Sequence, residues 1–442
     1  MKNKIILIFF CLAFLLSGCS GKDYNPMVPA NQNSVSKRAQ LKEYDSPYTL
    51  CRKNKDGTYS LYTFAAPVQF RSVSGYSFID NSLVASKNGF AFENKANEVK
   101  CFFPARLEDH FKIVREDEFL SFRFSAPSGF SSAQKGRYIN SAGDAVEAIS
   151  YEKTGMRLWF YATRAGIAFE AVCDGSEVPP LAFEVSSSAR FAENHQNGYV
   201  LLKDGSPTVG IINCMSARYD DEWQLDIPIE TETVSEGNFK ASFSINNDGR
   251  AFTAESSFSL YQNKIPDTAV YSKEESNEFL SSYACIGTSP EKGAGWLYTR
   301  FRMSYIYGIS PESIVSSEYY IRQLGGTLEA SNIEIFKPAE NWTSTGMTWQ
   351  KRILPGEKLP ISGEKQKNGW ITVNLTDFTK ECYSDPQWAA ESAGLLIKAE
   401  NPDAYAMLAT SDHPVYAPYL VTTVSKLPES FFPPDDINPS DD

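Results

Sequence analysis

The chain has 442 residues, enough for two or three domains with cores of their own. Its formal charge of −12 argues against nucleic acid and against anionic membrane patches, both of which favour basic surfaces. Aromatic residues make up 13%, a share that suits strands and sheet packing.

The chain opens Met1-Lys2-Asn3-Lys4, continues as an apolar run from Ile5 to Leu16, and closes on Leu16-Ser17-Gly18-Cys19. Basic residues, an apolar stretch and small residues in that order make a secretory signal. A bilayer-spanning helix needs about 20 apolar residues, so this run is too short to span. The ending resembles the lipobox of bacterial lipoproteins. That implies cleavage between Gly18 and Cys19 and a diacylglycerol on the Cys19 thiol. Two or more lipid chains hold a protein stably at a membrane, each buried CH₂ contributing about 0.8 kcal/mol. Loss of Lys2 and Lys4 with residues 1–18 takes the charge from −12 to −14. Ser20 follows the anchor in place of the aspartate that retains lipoproteins at an inner membrane, so display on the outer surface is allowed in either envelope type. Residues 19–43 are polar and read as a flexible tether. At the other end, residues 427–442 form an acidic, proline-rich tail that reads as disordered.

Between these ends the dominant period is two. Leu120, Phe122 and Phe124 alternate with Ser121, Arg123 and Ser125. Phe239, Ala241, Phe243 and Ile245 alternate with Lys240, Ser242 and Ser244. Ile371, Val373 and Leu375 alternate with Thr372 and Asn374. Such alternation marks antiparallel strands with one face on a core. Turn signals recur between the runs, at Lys55-Asp56-Gly57, Lys87-Asn88-Gly89, Asn197-Gly198, Asp204-Gly205 and Asn247-Asp248-Gly249. The best helical stretch is short, Thr376 to Tyr383, with Asp385 to Ala393 beside it. The fold class is therefore all-β: two or three consecutive antiparallel β-sandwich domains with only short helices. The expected segments are residues 44–132, 133–262 and 263–426, the first two with the option of one shared core. Cys51, Cys101, Cys173, Cys214, Cys285 and Cys382 are far apart and form no C-x-x-C pair. They read as small buried hydrophobes or one bridge, not as a disulfide framework.

The third segment resembles the DNRLRE module of bacterial and archaeal surface proteins, which overlaps carbohydrate-binding module family 96. The resemblance rests on ordered stretches: Trp296 to Met303, Ile333 to Phe336, Glu340 to Trp349, Gly369 to Asp377, and Pro414 to Tyr419. The stretches Asp56 to Tyr62, Ala66 to Val68 and Phe78 to Leu83 are similar to the front of wall-associated Rhs/YD-type surface proteins, without the YD repeats. These resemblances imply a β-sandwich module at the cell surface, usually non-catalytic, with glycan binding in some relatives.

Catalytic and metal motifs do not emerge. His110, His195 and His413 stand singly, in no zinc-ligand spacing. Glu116-Asp117-Glu118 and Asp220-Asp221-Glu222 are the densest acidic clusters, and solvated turns are the commoner origin of such runs. Gly293-Ala294-Gly295 reads as a loop before a strand. No cofactor is expected, although a structural calcium ion is compatible with sandwich modules. For ligand binding, the alternation places Tyr298, Arg300 and Arg302 opposite Leu297, Thr299, Phe301 and Met303, on an expected exposed face. Trp342 and Trp349 are the stacking candidates, with packing as the competing role.

The reading is a non-catalytic, lipid-anchored cell-surface protein that binds polysaccharide or an envelope component. It competes with a glycan-active enzyme whose carboxylates lie in the first two domains, and with a structural spacer or assembly partner in the envelope. Its partners are the membrane through Cys19 and a glycan or envelope protein, not nucleic acid.

Overall fold

The computed structural model describes residues 46–428 except 74, 126–128, 142–143, 176–180, 196–197, 203–207, 214, 220–221, 228, 246–248, 261–266, 275–280, 301–307, 343–346, 361–362, 366–368, 385–393, 401–402 and 414–415. The signal with Gly18 and Cys19, the tether, Arg302, Cys214, Asp220-Asp221, the stretch Asp385 to Ala393 and residues 429–442 of the acidic tail lie outside the described residues.

The chain is all-β, with sheets of 13, 10, 8 and 2 strands, antiparallel throughout the described pairings, and one α-helix among the described residues. The architecture is that of several β-sandwich domains. No helix among the described residues is long and apolar enough to cross a membrane, which says nothing of strands.

The 8- and 10-stranded sheets face each other over one hydrophobic core. The first sheet contributes Leu120, Phe122, Phe124, Phe183 and Phe243, and the second Ile149, Leu158, Phe160, Phe169 and Phe258. In the strand Glu118–Phe124 the three apolar residues are buried while Ser121 and Arg123 are half-exposed, as the period of two requires. Phe122 lies between Phe111 and Phe258, with centroids at 4.9 and 3.9 Å and nearly parallel rings. Truncating a ring fully enclosed on both faces removes its burial and leaves a cavity. Phe122→Ala is therefore expected to cost about 3–5 kcal/mol, measured as a lowered urea midpoint at unchanged slope. Residues expected in two segments, 44–132 and 133–262, thus contribute to one core.

The 13-stranded sheet encloses a second core that includes Tyr271, Ile286, Leu297, Ile321, Ile335, Ile371, Leu408 and Leu420. The strand Ile314–Gly326 turns its corner. Its first half pairs with Tyr419–Val424, and past a register shift between Gln323 and Gly325 its end pairs with Tyr405–Ala409. Gly326 sits at that end with φ +94, and a Cβ there would fall 2.3 Å from the Tyr405 carbonyl oxygen. Gly293, Ala294 and Gly295, expected as a loop, open the strand Gly293–Thr299. Gly295 is needed there because the Tyr271 ring lies 2.8 Å from where a Cβ would stand. The helix Thr376–Ser384 matches the expected stretch and buries Phe378, Thr379 and Cys382.

The front of the chain packs elsewhere than its place in the sequence implies. The hairpin Thr49–Lys53/Tyr59–Phe64 turns at Gly57, φ +89, and adds to the 13-stranded sheet through Tyr59↔Val424 to Phe64↔Tyr419. The second body therefore consists of residues 46–79 with 267–424, and residues 80–260 make the first. The expected start of the first segment at 44 is redrawn to 80, because Tyr62 and Phe64 bury beside Tyr419 and Trp370.

The bodies meet along a cluster that joins Ala148, Tyr161 and Ala168 to Leu50, Tyr62, Phe64, Val68, Trp370 and Tyr416. Polar contacts frame it. The Asn140 amide donates to the Tyr416 hydroxyl at 3.3 Å, Tyr416 donates to Asp144, and Arg322 stands 3.8 Å from Asp144 and 4.9 Å from the Tyr416 ring. Arg164 donates to the Ser411 and His413 carbonyls. Cys51, Cys101, Cys173, Cys285 and Cys382 are buried thiols. Burial pushes Cys173 and Cys382 up to about 12, so these act as packing groups and not as nucleophiles.

Candidate functional site

The strand Met156–Ala162 carries large side chains on both faces. Met156, Leu158 and Phe160 point into the core, which leaves Arg157, Trp159 and Tyr161 on the outer face of the 10-stranded sheet. Tyr161 is buried in the cluster shared with the second body, Trp159 packs against it half-buried, and Arg157 is exposed. On the neighbouring strands, Ser150 and Glu170 flank Trp159, and Glu152 and Val172 flank Arg157. Tyr138, on the edge strand Gln134–Ile139, stacks against the Trp159 indole at 4.5 Å and 15°.

The result is an open groove of about 460 Å³, lined by Tyr138, Glu152, Lys153, Gly155, Met156, Arg157, Trp159, Val172, Cys173 and Asp174. Its charged rim is organised. The Arg157 guanidinium reaches Glu152 at 2.8 Å and lies 5.6 Å from the Trp159 ring, and Lys153 lies 4.8 Å from the Phe130 ring. Aromatic faces beside hydrogen-bonding groups are what a sugar ring requires: stacking for its C–H face and polar partners for its hydroxyls.

Beneath the aromatic wall lies a carboxylate pair. Glu170 and Glu255 stand directly opposite each other on adjacent strands. Glu170 is fully buried. It accepts from the Tyr138 hydroxyl at 2.7 Å, the Tyr161 hydroxyl at 3.1 Å and the Ser141 N–H at 3.0 Å. Glu255 accepts from the Ser141 hydroxyl. Burial, with the charge of Glu170 beside it, raises Glu255 to about 7, and burial likewise raises Glu170. Burial and the same carboxylates push the Tyr138 and Tyr161 hydroxyls upward, so both remain protonated donors.

The residues expected to bind ligand are placed differently. Tyr298 is fully buried, not exposed. Its strand alternates as expected, with Leu297 in one core, but the opposite face is also covered. Trp342, Met347 and Ile353, from the segment that follows Ala339, close over Tyr298, and the Ile353 carbonyl accepts its hydroxyl at 2.5 Å. Trp342 is likewise buried. Arg300 lies over it at 4.7 Å and donates to its carbonyl. Trp349 is half-buried, and the Arg352 guanidinium sits 4.1 Å from its ring and 4.6 Å from Trp296. Arginines of the chain lie over these indoles, as Arg157 does over Trp159 at 5.6 Å, and Arg302 lies outside the described residues.

Alternation alone did not single out Trp159 or Tyr138. The signal available was the row Arg157-Leu158-Trp159-Phe160-Tyr161, whose outward positions beyond Arg157 are both aromatic. No group of three or more His, Cys, Asp or Glu placed to hold a metal occurs among the described residues. His413 accepts the Tyr416 N–H, and burial together with Arg164 and Arg322 holds it neutral, so it serves the contact between the bodies.

No protein-family profile matches the chain, and no curated protein matches it. Among solved structures, it is weakly similar to the N-terminal domain of the Streptococcus gordonii adhesin Sgo0707: 8% identity, 85% of each chain covered, TM-score 0.14.

Proposed function

We propose that this chain is a lipid-anchored bacterial surface protein that binds polysaccharide in the Trp159–Tyr138 groove. The observation that carries the proposal is the groove: an open, aromatic-walled channel of about 460 Å³ with charged groups on its rim. The lipobox-like Leu16-Ser17-Gly18-Cys19 and the polar tether support display outside the cell. The DNRLRE-like stretches of residues 263–426 support a surface module. In this reading the second body carries and orients the groove.

The geometry favours binding over hydrolysis. A glycosidase acid must reach the glycosidic oxygen. Glu170 is fully buried and its oxygens are engaged by two tyrosines and a backbone N–H, so it supports the wall and does not face a substrate. A pure spacer would have no use for an open aromatic groove.

Binding of the whole chain to a panel of soluble polysaccharides, followed by calorimetry on any hit, tests the proposal. Trp159→Ala is expected to weaken binding about five- to thirtyfold, in line with the loss of about 1 to 2 kcal/mol of stacking. Trp349→Ala, whose ring faces Arg352, is expected to leave it unchanged. No binding of the native chain at high micromolar concentration would overturn the groove's role, as would equal losses in the two variants.

A further inference from the structure

The outer face of the 10-stranded sheet emerges from its cover at the same level on three adjacent strands. On Met156–Ala162 its residues pass from buried Tyr161 through half-buried Trp159 to exposed Arg157. On Gly166–Asp174 they pass from buried Ala168 and Glu170 through half-buried Val172 to exposed Asp174. On Ala251–Ser259 they pass from buried Ser257 through half-buried Glu255 and Thr253 to exposed Ala251. The buried end lies against the second body, where Tyr161 and Ala168 join Leu50, Tyr62 and Trp370. The open part is therefore a strip that crosses the strands, not a channel that follows one of them.

The register names its members. Arg157 stands opposite Val172, Val172 opposite Thr253, and Thr253 opposite Arg218 on the strand Met215–Tyr219. Residues directly opposite in a ladder share a face. The next pair along, Ala217 and Ala254, is buried in the sandwich core, which turns Thr253 and exposed Arg218 outward with Arg157 and Trp159. Neighbouring strands lie about 4.8 Å apart, so the row from Arg157 to Arg218 covers about 14 Å. Its first two members, Arg157 and Val172, already line the groove. Beyond them come a threonine hydroxyl and a guanidinium, so an apolar surface is again followed by hydrogen-bond donors, as Trp159 is by Arg157.

We propose that the Trp159 groove is the first part of a longer track, that the track runs across the strands over Val172 to a second subsite at Thr253 and Arg218, and that its ligand is an extended polysaccharide bound along its length. The proposal rests on the groove reading and adds the direction and the extent of the ligand. A compact ligand seated at Trp159 would leave Arg218 untouched, three strands away. A peptide added as a strand would need a free sheet edge, and this row lies on the face of strands paired on both sides. A linear sugar chain meets both conditions: it is long enough to reach the second subsite, and it binds through ring faces and hydroxyls.

The test is calorimetry of the whole chain with soluble β-1,3-glucan, β-1,4-xylan, α-mannan and polygalacturonate, each as polymer and as its own di- to hexasaccharides. For a probe that binds, the hexasaccharide is expected to bind about tenfold or more tighter than the disaccharide. Arg218→Ala is expected to take away about tenfold from the hexasaccharide and to leave the disaccharide as it was. Thr253→Val keeps the branched shape on the strand and removes the hydroxyl. It is expected to cost the hexasaccharide about fivefold in the same pattern, so the question is answered even where Arg218→Ala fails to fold. Trp159→Ala is expected to weaken both lengths. Equal affinity for the two lengths overturns the track, as does native hexasaccharide binding in both Arg218→Ala and Thr253→Val; in either case a loss in Trp159→Ala keeps the groove. No binding of any probe by the native chain overturns the groove and the track with it.

Discussion

A chain that lacks residues 46–65 is expected to lose cooperative unfolding of its second body, although those residues lie some 200 positions or more from most of that body in sequence. The hairpin Thr49–Phe64 forms one edge of the 13-stranded sheet, and its removal strips Tyr419–Val424 of six paired residues. It also removes Leu50, Leu61, Tyr62 and Phe64, all buried. Losing one large aromatic side chain from a core costs about 3–5 kcal/mol, and domains are stable by only about 5–15 kcal/mol, so losing two with their strand exceeds the margin. The exposed strand would then present unpaired backbone and apolar residues to other copies, a route to association. A chain cut before residue 46 keeps the hairpin and is expected to remain monomeric. Size-exclusion chromatography and thermal melts of the two truncations separate the cases. A monomeric, cooperatively melting second body without residues 46–65 would show that the hairpin is dispensable.

Stability of the first body is expected to fall as pH rises from about 5 to about 8, the reverse of the usual acid response. The sign follows from linkage. The carboxyl of Glu255 has an ordinary value of 4.5 and is raised to about 7 in the fold, so the folded chain binds the proton more tightly than the unfolded one. The stabilisation is complete below the unfolded value and is lost as pH climbs through the folded one. Solvent partly reaches Glu255, so the effect is at most about 3 kcal/mol. Glu255→Gln keeps a hydrogen-bonding side chain without the charge, and its urea midpoint is expected to stay level across the range and to exceed the native value at pH 8. Equal native midpoints at pH 5 and pH 8 would show that the pair does not share a proton.

The period of two was a dependable guide wherever one face of a strand meets a core and the other meets water. Leu120, Phe122 and Phe124 lie where alternation puts them, as do Phe239, Ala241 and Phe243. It was a poor guide where both faces are covered. Leu297 and Tyr298 belong to separate clusters on opposite faces of one strand, and periodicity cannot report that the segment after Ala339 folds back over the second face. The same limit hid the groove. Trp159 occupies an outward position in a row whose other members are Tyr161, under the second body, and Arg157, in the open. Which part of an apolar outer face stays uncovered depends on where another body docks, and that contact joins residues such as Ala148 and Trp370, more than 200 positions apart. The acid pair escaped notice for a related reason. Glu170 and Glu255 become neighbours only through the pairing of Gly166–Asp174 with Ala251–Ser259.

The interleaving of residues 46–79 with 267–424 makes the groove-bearing body a guest within a host. Its entry near Asp80 and its exit near Leu260 are both at strand ends, so it can be exchanged as a unit without cutting a host strand. The host keeps its own sheet, with the hairpin Thr49–Phe64 on its edge. Recombination at those two junctions would replace the groove-bearing body and leave every strand of the host uncut. Variation among relatives is therefore expected to concentrate in the guest, and above all along the row from Arg157 to Tyr161.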